Sequence, residues 1–441
     1  MAFLIGAAAE AMSDPGGLWE ILILKVFKFI GNYGWRIVFF TVCLKLLLLP
    51  LDLFQRFKMR KNQLITERLK PQLEKLQQQY AGDRQTLSQK QMELNKREGF
   101  SYFSSCLPMI VTLVIFFYLF AGLNNISQYK NLYQYAELYD AYTVVETELK
   151  DVEFDNVQVG DAVITTSWNK LSAEQGELNA KEEKTEEDNK RITDLQRAMD
   201  RIENGYSDTN DAGESTPHLF TGIKDGAKFE MYSVKDLAQN AAVEKYGEVE
   251  ESFLWVSNIW SPDVPWRKAI LSHDNFISNI SGYKTYSKAA KKLKINKDEL
   301  DQTKFDEMIS EAKYNAVTGK LRSNKDYNKV NGFLVLPLLS VGLSFLSQFI
   351  TSRLQKKSGQ AAPEGGMGGS MKMMMIIMPL MMGMFALSYT AMFTLYIVVN
   401  SASTILINVV TSVAMDGKSK KKEKQQTTGI QKYGRPDPKD L

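Results

Sequence analysis

The sequence predicts a mainly α, polytopic membrane protein. It is a five-span helical bundle with a cytoplasmic helical hairpin and a large extracytoplasmic α+β insertion between spans 2 and 3. Three observations predict this. Apolar residues are concentrated in blocks near residues 18–54, 103–123, 331–351 and 373–415, whereas residues 124–330 are polar and highly charged. A helix needs about 20 predominantly apolar residues to cross a bilayer, and these blocks supply that length. Basic side chains also gather at the ends that the positive-inside rule assigns to one compartment: eleven Lys and Arg in residues 55–98, then Arg353, Lys356 and Lys357, then eight in the last 26 residues. The mean hydropathy of -0.24 and net charge of +3 conceal this pattern, because residues 124–251 alone carry 13 Lys and Arg against 28 Asp and Glu.

Residues 1–34 form an extracytoplasmic N-terminus without a basic leader region, and within it residues 18–30 read as one helix lying in the interface, with Glu20, Lys25 and Lys28 on one side. Gly31 to Gly34 break that helix and the first span follows over residues 35–54. Its apolar run holds Lys45 near the centre and Asp52 near the end. A lysine at the centre of a span costs about 2.5 to 3.5 kcal/mol on insertion scales, so a chain that keeps one uses it, unless the side chain snorkels to the interface. Thr41, four residues earlier, shares the helix face of Lys45.

Residues 55–102 read as the helical hairpin. Leu69, Leu73, Leu76 and Tyr80 line one arm, Ala81, Gly82 and Asp83 turn, Leu87, Gln91 and Leu94 line the return, and Pro71 marks a kink or restart. The second span covers residues 103–123. In the outer domain, residues 124–330, strands are expected over 152–166 around Gly160 and over 229–234; Leu171, Leu178, Ile192, Leu195, Met199 and Ile202 fit one long helix, residues 208–217 a loop, and 284–322 a basic helical segment. The third span covers 331–351, a cytoplasmic loop with a Gly-rich linker 352–372, and spans four and five, 373–388 and 391–414, form a hairpin. Ten methionines lie between Met367 and Met392, which suits adaptable apolar packing. The tail, 415–441, is basic and disordered in composition, able to meet anionic lipid or ribosomal RNA without nucleic-acid sequence specificity.

No Gly-rich phosphate loop, HExxH, GxSxG or metal-spaced cysteine pattern occurs, so no cofactor, metal or enzymatic chemistry is expected. His218 and His273 lie in the outer domain without ligand-like neighbours, and Cys43 and Cys106 fall in or beside apolar spans.

Four stretches resemble the YidC/Oxa/Alb family of membrane protein insertases: Gly31-Asn32-Tyr33-Gly34-Trp35 leading to Lys45 through Pro50-Leu51; the hairpin ending Lys96-Arg97-Glu98-Gly99; Cys106-Leu107-Pro108-Met109; and Phe253-Leu254-Trp255 followed by Ser261-Pro262-Asp263. Met378-Pro379 and Leu395-Tyr396 through Asn400 match the closing hairpin. The resemblance implies a hydrophilic groove within one leaflet, open to cytoplasm and lipid and closed outside, whose single cation receives the polar end of an entering chain. Lys45 stands at that position in place of the usual arginine, keeping the charge without the planar fork. Thr41, Tyr396 and Asn400 match groove-lining positions, Asn400 through an inverted Asn-Ser order. The implied partners are nascent membrane proteins and membrane lipid, with the ribosome and the Sec translocon as further candidates. The implied location is the bacterial plasma (inner) membrane, N-terminus outside and C-terminus inside. Two other readings are a solute or anion transporter with Lys45 as the binding charge, and an envelope adhesion or sensor protein acting through its outer domain. Paired repeats with broken helices, the usual transporter signature, are missing.

Overall fold

The computed structural model describes residues 8–97, 102–209, 215–224, 226–357 and 367–432. The architecture is mainly α. In chain order the elements are α1 (Leu18–Leu24), a 3-10 turn (Val26–Phe29), α2 (Tyr33–Gln79), α3 (Arg84–Arg97), α4 (Tyr102–Asp151), β1 (Phe154–Val159), β2 (Ala162–Thr166), α5 (Trp168–Asn179), α6 (Glu186–Asn204), β3 (Ser207–Thr209), β4 (Ser215–Pro217), β5 (Phe220–Lys224), β6 (Ala227–Met231), α7 (Val234–Val249), α8 (His273–Asn279), α9 (Tyr286–Leu293), α10 (Gln302–Met308), α11 (Glu311–Ser323), α12 (Val335–Lys357), α13 (Met367–Ser388) and α14 (Ala391–Lys432). They form two compact units, one of residues 1–25 and 124–333, the other of residues 26–123 and 334–441.

The first unit has a helical part and a sheet part. Four antiparallel strands in the order β2-β1-β5-β6 form the sheet. The β1–β2 hairpin turns at Gly160, whose φ of 60° is one that glycine adopts without strain. Leu195, Met199 and Ile202 of α6 pack on Phe154, Val157, Val159 and Phe220 to form its core. The single helix expected over residues 171–202 is two: α5 ends at Asn179, and Thr185 and Asp188 form a reciprocal capping box that starts α6. The two then lie against each other, tied by Arg191 Nε to Glu174 Oε1 at 2.7 Å. The expected strand over 229–234 is β6, which stops at Met231 because Ser233 caps α7. Residues expected as a loop over 208–217 include the β3–β4 ribbon, while 210–214 lie outside the described residues. The basic segment 284–322 is three helices, α9 to α11, and the expected interfacial helix ends at Leu24.

The second unit inverts the usual distribution of side chains. Leu46, Leu47, Val114, Phe117, Leu338, Phe349, Met384 and Leu406 are all exposed, whereas Thr41, Ser340, Thr394 and Asn408 are buried. Such a surface has no favourable solvent but lipid. Among the described residues two helical stretches, Tyr33–Phe54 and Ala391–Thr411, are long and apolar enough to cross a membrane, and Val335–Ile350 and Pro379–Ser388 are shorter apolar helices. α2 starts where Asn32 Oδ1 accepts the Gly34 and Trp35 amides. It then runs 47 residues without interruption through Pro50 and Pro71, so the expected restart at Pro71 does not occur. The hairpin turn falls at Tyr80 to Asp83, and Asp83 caps α3 through the Gln85 and Thr86 amides. The Gly-rich residues 358–366 lie outside the described residues, and the tail expected to be disordered continues α14 as helix to Lys432. Lys, Glu and Gln are good helix formers, and extending an existing helix avoids the cost of nucleation.

Candidate functional site

Within the second unit α2 packs on α14, α14 on α12 and α12 on α13. α4 joins through Phe116 and Phe120, whose rings meet Phe385, Tyr389 and Phe393 at centroid distances of 4.7 to 6.4 Å. At Gly383 the backbone of α13 approaches α12 so closely that a Cβ would sit 2.5 Å from Val341 Cγ2. Beside this crossing is an apolar groove of about 330 Å³ that includes Pro337, Val341, Gly383 and Met384 in its walls. It holds no group able to recognise charge.

The polar chemistry lies on α2, α12 and α14. Lys45 Nζ stands 2.9 Å from Asp52 Oδ2, with each side chain 14% exposed. Seven residues of helix is two turns, about 10 Å of rise, so the lysine stem lies along its own helix toward Asp52. The span therefore carries a neutralised pair, and removing one partner would leave the other charge desolvated. Thr41 is buried and its hydroxyl donates to the Ile37 carbonyl at 2.6 Å, leaving only lone pairs to offer a newcomer. On α14, Tyr396 is buried with its ring stacked 6.4 Å from that of Phe393, and Asn400 is half-buried with its carbonyl accepting the Thr404 hydroxyl at 2.7 Å. Thr41 and Lys45 share a face of α2, and Tyr396 and Asn400 share a face of α14, by their four-residue spacing. The structure packs these two helices together; the ion-pair partner it gives Lys45 is Asp52.

Sequence reasoning missed three features. Asp52 was visible as a charge but not as the partner of Lys45, because an i,i+7 pairing depends on the rotamer of a long side chain. Polar residues recur along both α12 and α14, Ser340, Ser344 and Gln348 on one helix and Thr394, Ser401 and Asn408 on the other, and the two helices meet where the Ser344 and Ser401 hydroxyl oxygens lie 3.5 Å apart. Their four- and seven-residue spacings were legible signals. Gln348 Oε1 is buried and finds no hydrogen-bond donor among the described residues. Third, buried Arg36 closes the turn before α2: its Nε and an Nη donate to the Ile30 and Gly31 carbonyls at 2.5 and 3.1 Å, and its guanidinium lies 4.0 Å from the Tyr33 ring centre. No cluster of His, Cys, Asp and Glu suited to a metal occurs among the described residues.

A family model described as "60Kd inner membrane protein" matches residues 25–153 and 240–420, more than half of the chain, and skips most of the sheet part. The chain is 40% identical over 98 residues to the membrane protein insertase YidC of Fusobacterium nucleatum subsp. nucleatum, covering 22% of this chain and 46% of that protein. It is 31% identical over 111 residues to the protein of that name from Helicobacter pylori, and 32% identical over 117 residues to that from Pseudomonas aeruginosa, each match covering 25% of this chain and 20% of the relative. The chain thus matches less than half the length of these relatives. No solved structure matches it significantly.

Proposed function

The chain belongs to the 60Kd inner membrane protein family, the YidC/Oxa/Alb insertases, and from that premise we propose that it receives hydrophobic nascent chains and eases their polar segments across the membrane, without covalent chemistry. The observation that carries the mechanism is the Lys45–Asp52 pair set in an apolar helix that packs on α14. An entering Asp or Glu competes with Asp52 for the ammonium. At about 4 Å and an effective dielectric near 20 the attraction is about 4 kcal/mol, an upper figure. Because Asp52 is displaced in the process, the exchange is close to balanced, so the substrate is held and then released. Asp52 re-forms its pair once the segment has moved on. The lone pairs of Thr41 and the side chains of Tyr396 and Asn400 would line the path.

The topology proposed for this activity has five spans, near residues 35–54, 103–123, 331–351, 373–388 and 391–414, with the hairpin and tail cytoplasmic and the first unit outside. Distribution of Lys and Arg supports that orientation. Partners are nascent membrane proteins and lipid, with ribosome and Sec translocon contacts proposed through the hairpin and the basic tail. Photo-crosslinking from positions 41 and 45 to stalled nascent chains tests the reading. Adducts with many unrelated membrane proteins are expected, and an absence of adducts with any of them would overturn it.

A further inference from the structure

Six lysines of the first unit fall within a short stretch: Lys284, Lys288, Lys291, Lys292, Lys294 and Lys297, all exposed. Among the described residues none of them is engaged in an ion pair. On α9 the opposite face is used up, since Ala289 and Leu293 are buried. Six exposed lysines without carboxylate partners repel one another, and their summed field attracts an anionic counterpart.

Hydrogen bonds fix where this stretch lies in the unit. Ser13 N donates to the Leu293 carbonyl at 2.8 Å and Asn296 N to the Ala11 carbonyl at 3.1 Å, tying the lysine stretch to the residues that lead into α1. A second link runs through side chains: Lys292 Nζ lies 4.9 Å from the Tyr283 ring centre, the Tyr283 hydroxyl donates to Asn125 Oδ1 at 2.7 Å, and Asn125 Nδ2 donates to Glu20 Oε1 of α1 at 3.0 Å. Asn125 follows the apolar stretch of α4 by two residues, and Glu20 precedes α2 by thirteen. On α1 itself Leu18 and Ile21 are 53% and 39% exposed, next to buried Glu20. Unpaired lysines and exposed aliphatic side chains are therefore held together at the part of the unit nearest, along the chain, to the apolar helices.

We propose that these six lysines form a docking face for the phosphate headgroups of anionic lipid on the membrane surface, with Leu18 and Ile21 entering the apolar layer beside them. Charge distribution over the unit favours this one orientation. Residues 267–330 carry 14 Lys and Arg against eight Asp and Glu, whereas residues 124–251 carry 13 against 28, so an anionic surface attracts the first stretch and repels the second. Each lysine near such a surface strengthens attachment about fivefold, and the effect fades beyond a Debye length. The proposal rests on the membrane reading of the chain but not on its insertase activity, so the two fail separately.

The test uses the full chain in vesicles of phosphatidylcholine alone or with one third phosphatidylglycerol, and measures acetylation rates of individual lysines with a neutral, water-soluble reagent. At low salt the six lysines should label at least about fivefold more slowly with phosphatidylglycerol, recovering at high salt, while Lys181 and Lys190 are unaffected. L18S/I21S should weaken the protection without removing any charge, and K288R/K291R/K292R should retain slow exchange of the backbone amides of α9. Equal labelling in the two lipids would overturn the proposal. So would protection by soluble polyglutamate but not by phosphatidylglycerol, which would assign the face to a protein partner.

Discussion

Asp263 is fully buried, and its two oxygens are taken by the Trp255 indole at 3.1 Å and the Phe333 amide at 2.7 Å. Gly332 packs so closely that a Cβ there would lie 1.8 Å from Asp263 Oδ1. Gly332→Ala must push the carboxylate off its donors, and leaving buried groups unpaired costs about 2 to 4 kcal/mol. A clearly lowered thermal midpoint of the purified protein in detergent is the expected result; an unchanged midpoint would mean that the site relaxes freely. Asp140 gives a pH-dependent case. It is 8% exposed and accepts the Ala8 and Ala9 amides at 3.0 and 2.9 Å, and burial pushes its carboxyl up to about 6 against the opposing pull of those amides. A raised carboxyl favours the folded state most below the unfolded value of 3.8, and that contribution is lost as pH rises through about 6. Amide exchange in residues 8–14 should therefore show weaker intrinsic protection at pH 7.5 than at pH 4.5, by at most about 3 kcal/mol, and Asp140→Asn should remove most of the difference. Lys45 was legible because a charge in an apolar run stands out. The carboxylate clasp at Asp263 was not, because its donors come from residues eight and seventy positions away.

At the scale of elements, local signals were read well where a turn residue has one conformation. Gly160 marks the β1–β2 hairpin, and Ala81 to Asp83 lie in the turn of the helical hairpin. The expectation failed where periodicity ran on across a break. Apolar residues continue in helical register from Leu171 to Ile202, yet the Thr185–Asp188 box starts a new helix, a signature that was present in the sequence. At Pro71 the reverse happened: a residue that usually ends helices is carried inside α2. The outer part of that helix and α3 form a two-helix arm, in which Leu69 is the fully buried side chain among the described residues. α3 packs principally on α2, so the arm is expected to open without disturbing the bundle. Hydrogen exchange should be faster over residues 60–97 than over residues 35–54 in the reconstituted protein. Equal protection would indicate an arm locked in place and count against a role in receiving chains.

For the whole molecule, composition revealed a polar domain set into a helical bundle, because a bilayer and water select opposite surfaces. What it could not reveal is how distant segments close on one another, as Asn331 does on the Asn258 and Pro262 carbonyls. The sheet part is an insertion between α4 and α7, and the family match skips residues 154–239. β1 and β6 run parallel, two strand spacings or about 10 Å apart, so the chain enters and leaves the sheet at opposite ends, and a flexible linker of about ten residues replacing 153–232 spans the gap. That deletion should leave insertion of a reporter membrane protein within about twofold of the parent; loss of activity would favour the reading in which the outer domain is the working part. The proposed role of Lys45 is to draw acidic segments into the membrane by exchange with Asp52. It is tested most directly by a reconstituted insertion assay with substrates whose translocated segment carries zero, one or two acidic residues. Lys45→Arg should keep activity, Lys45→Ala should lose the acidic substrates selectively, and Lys45→Glu should fail more broadly by repelling them. If Lys45→Glu inserts the doubly acidic substrate as well as the parent does, the exchange mechanism is wrong and Lys45 serves only to pair Asp52.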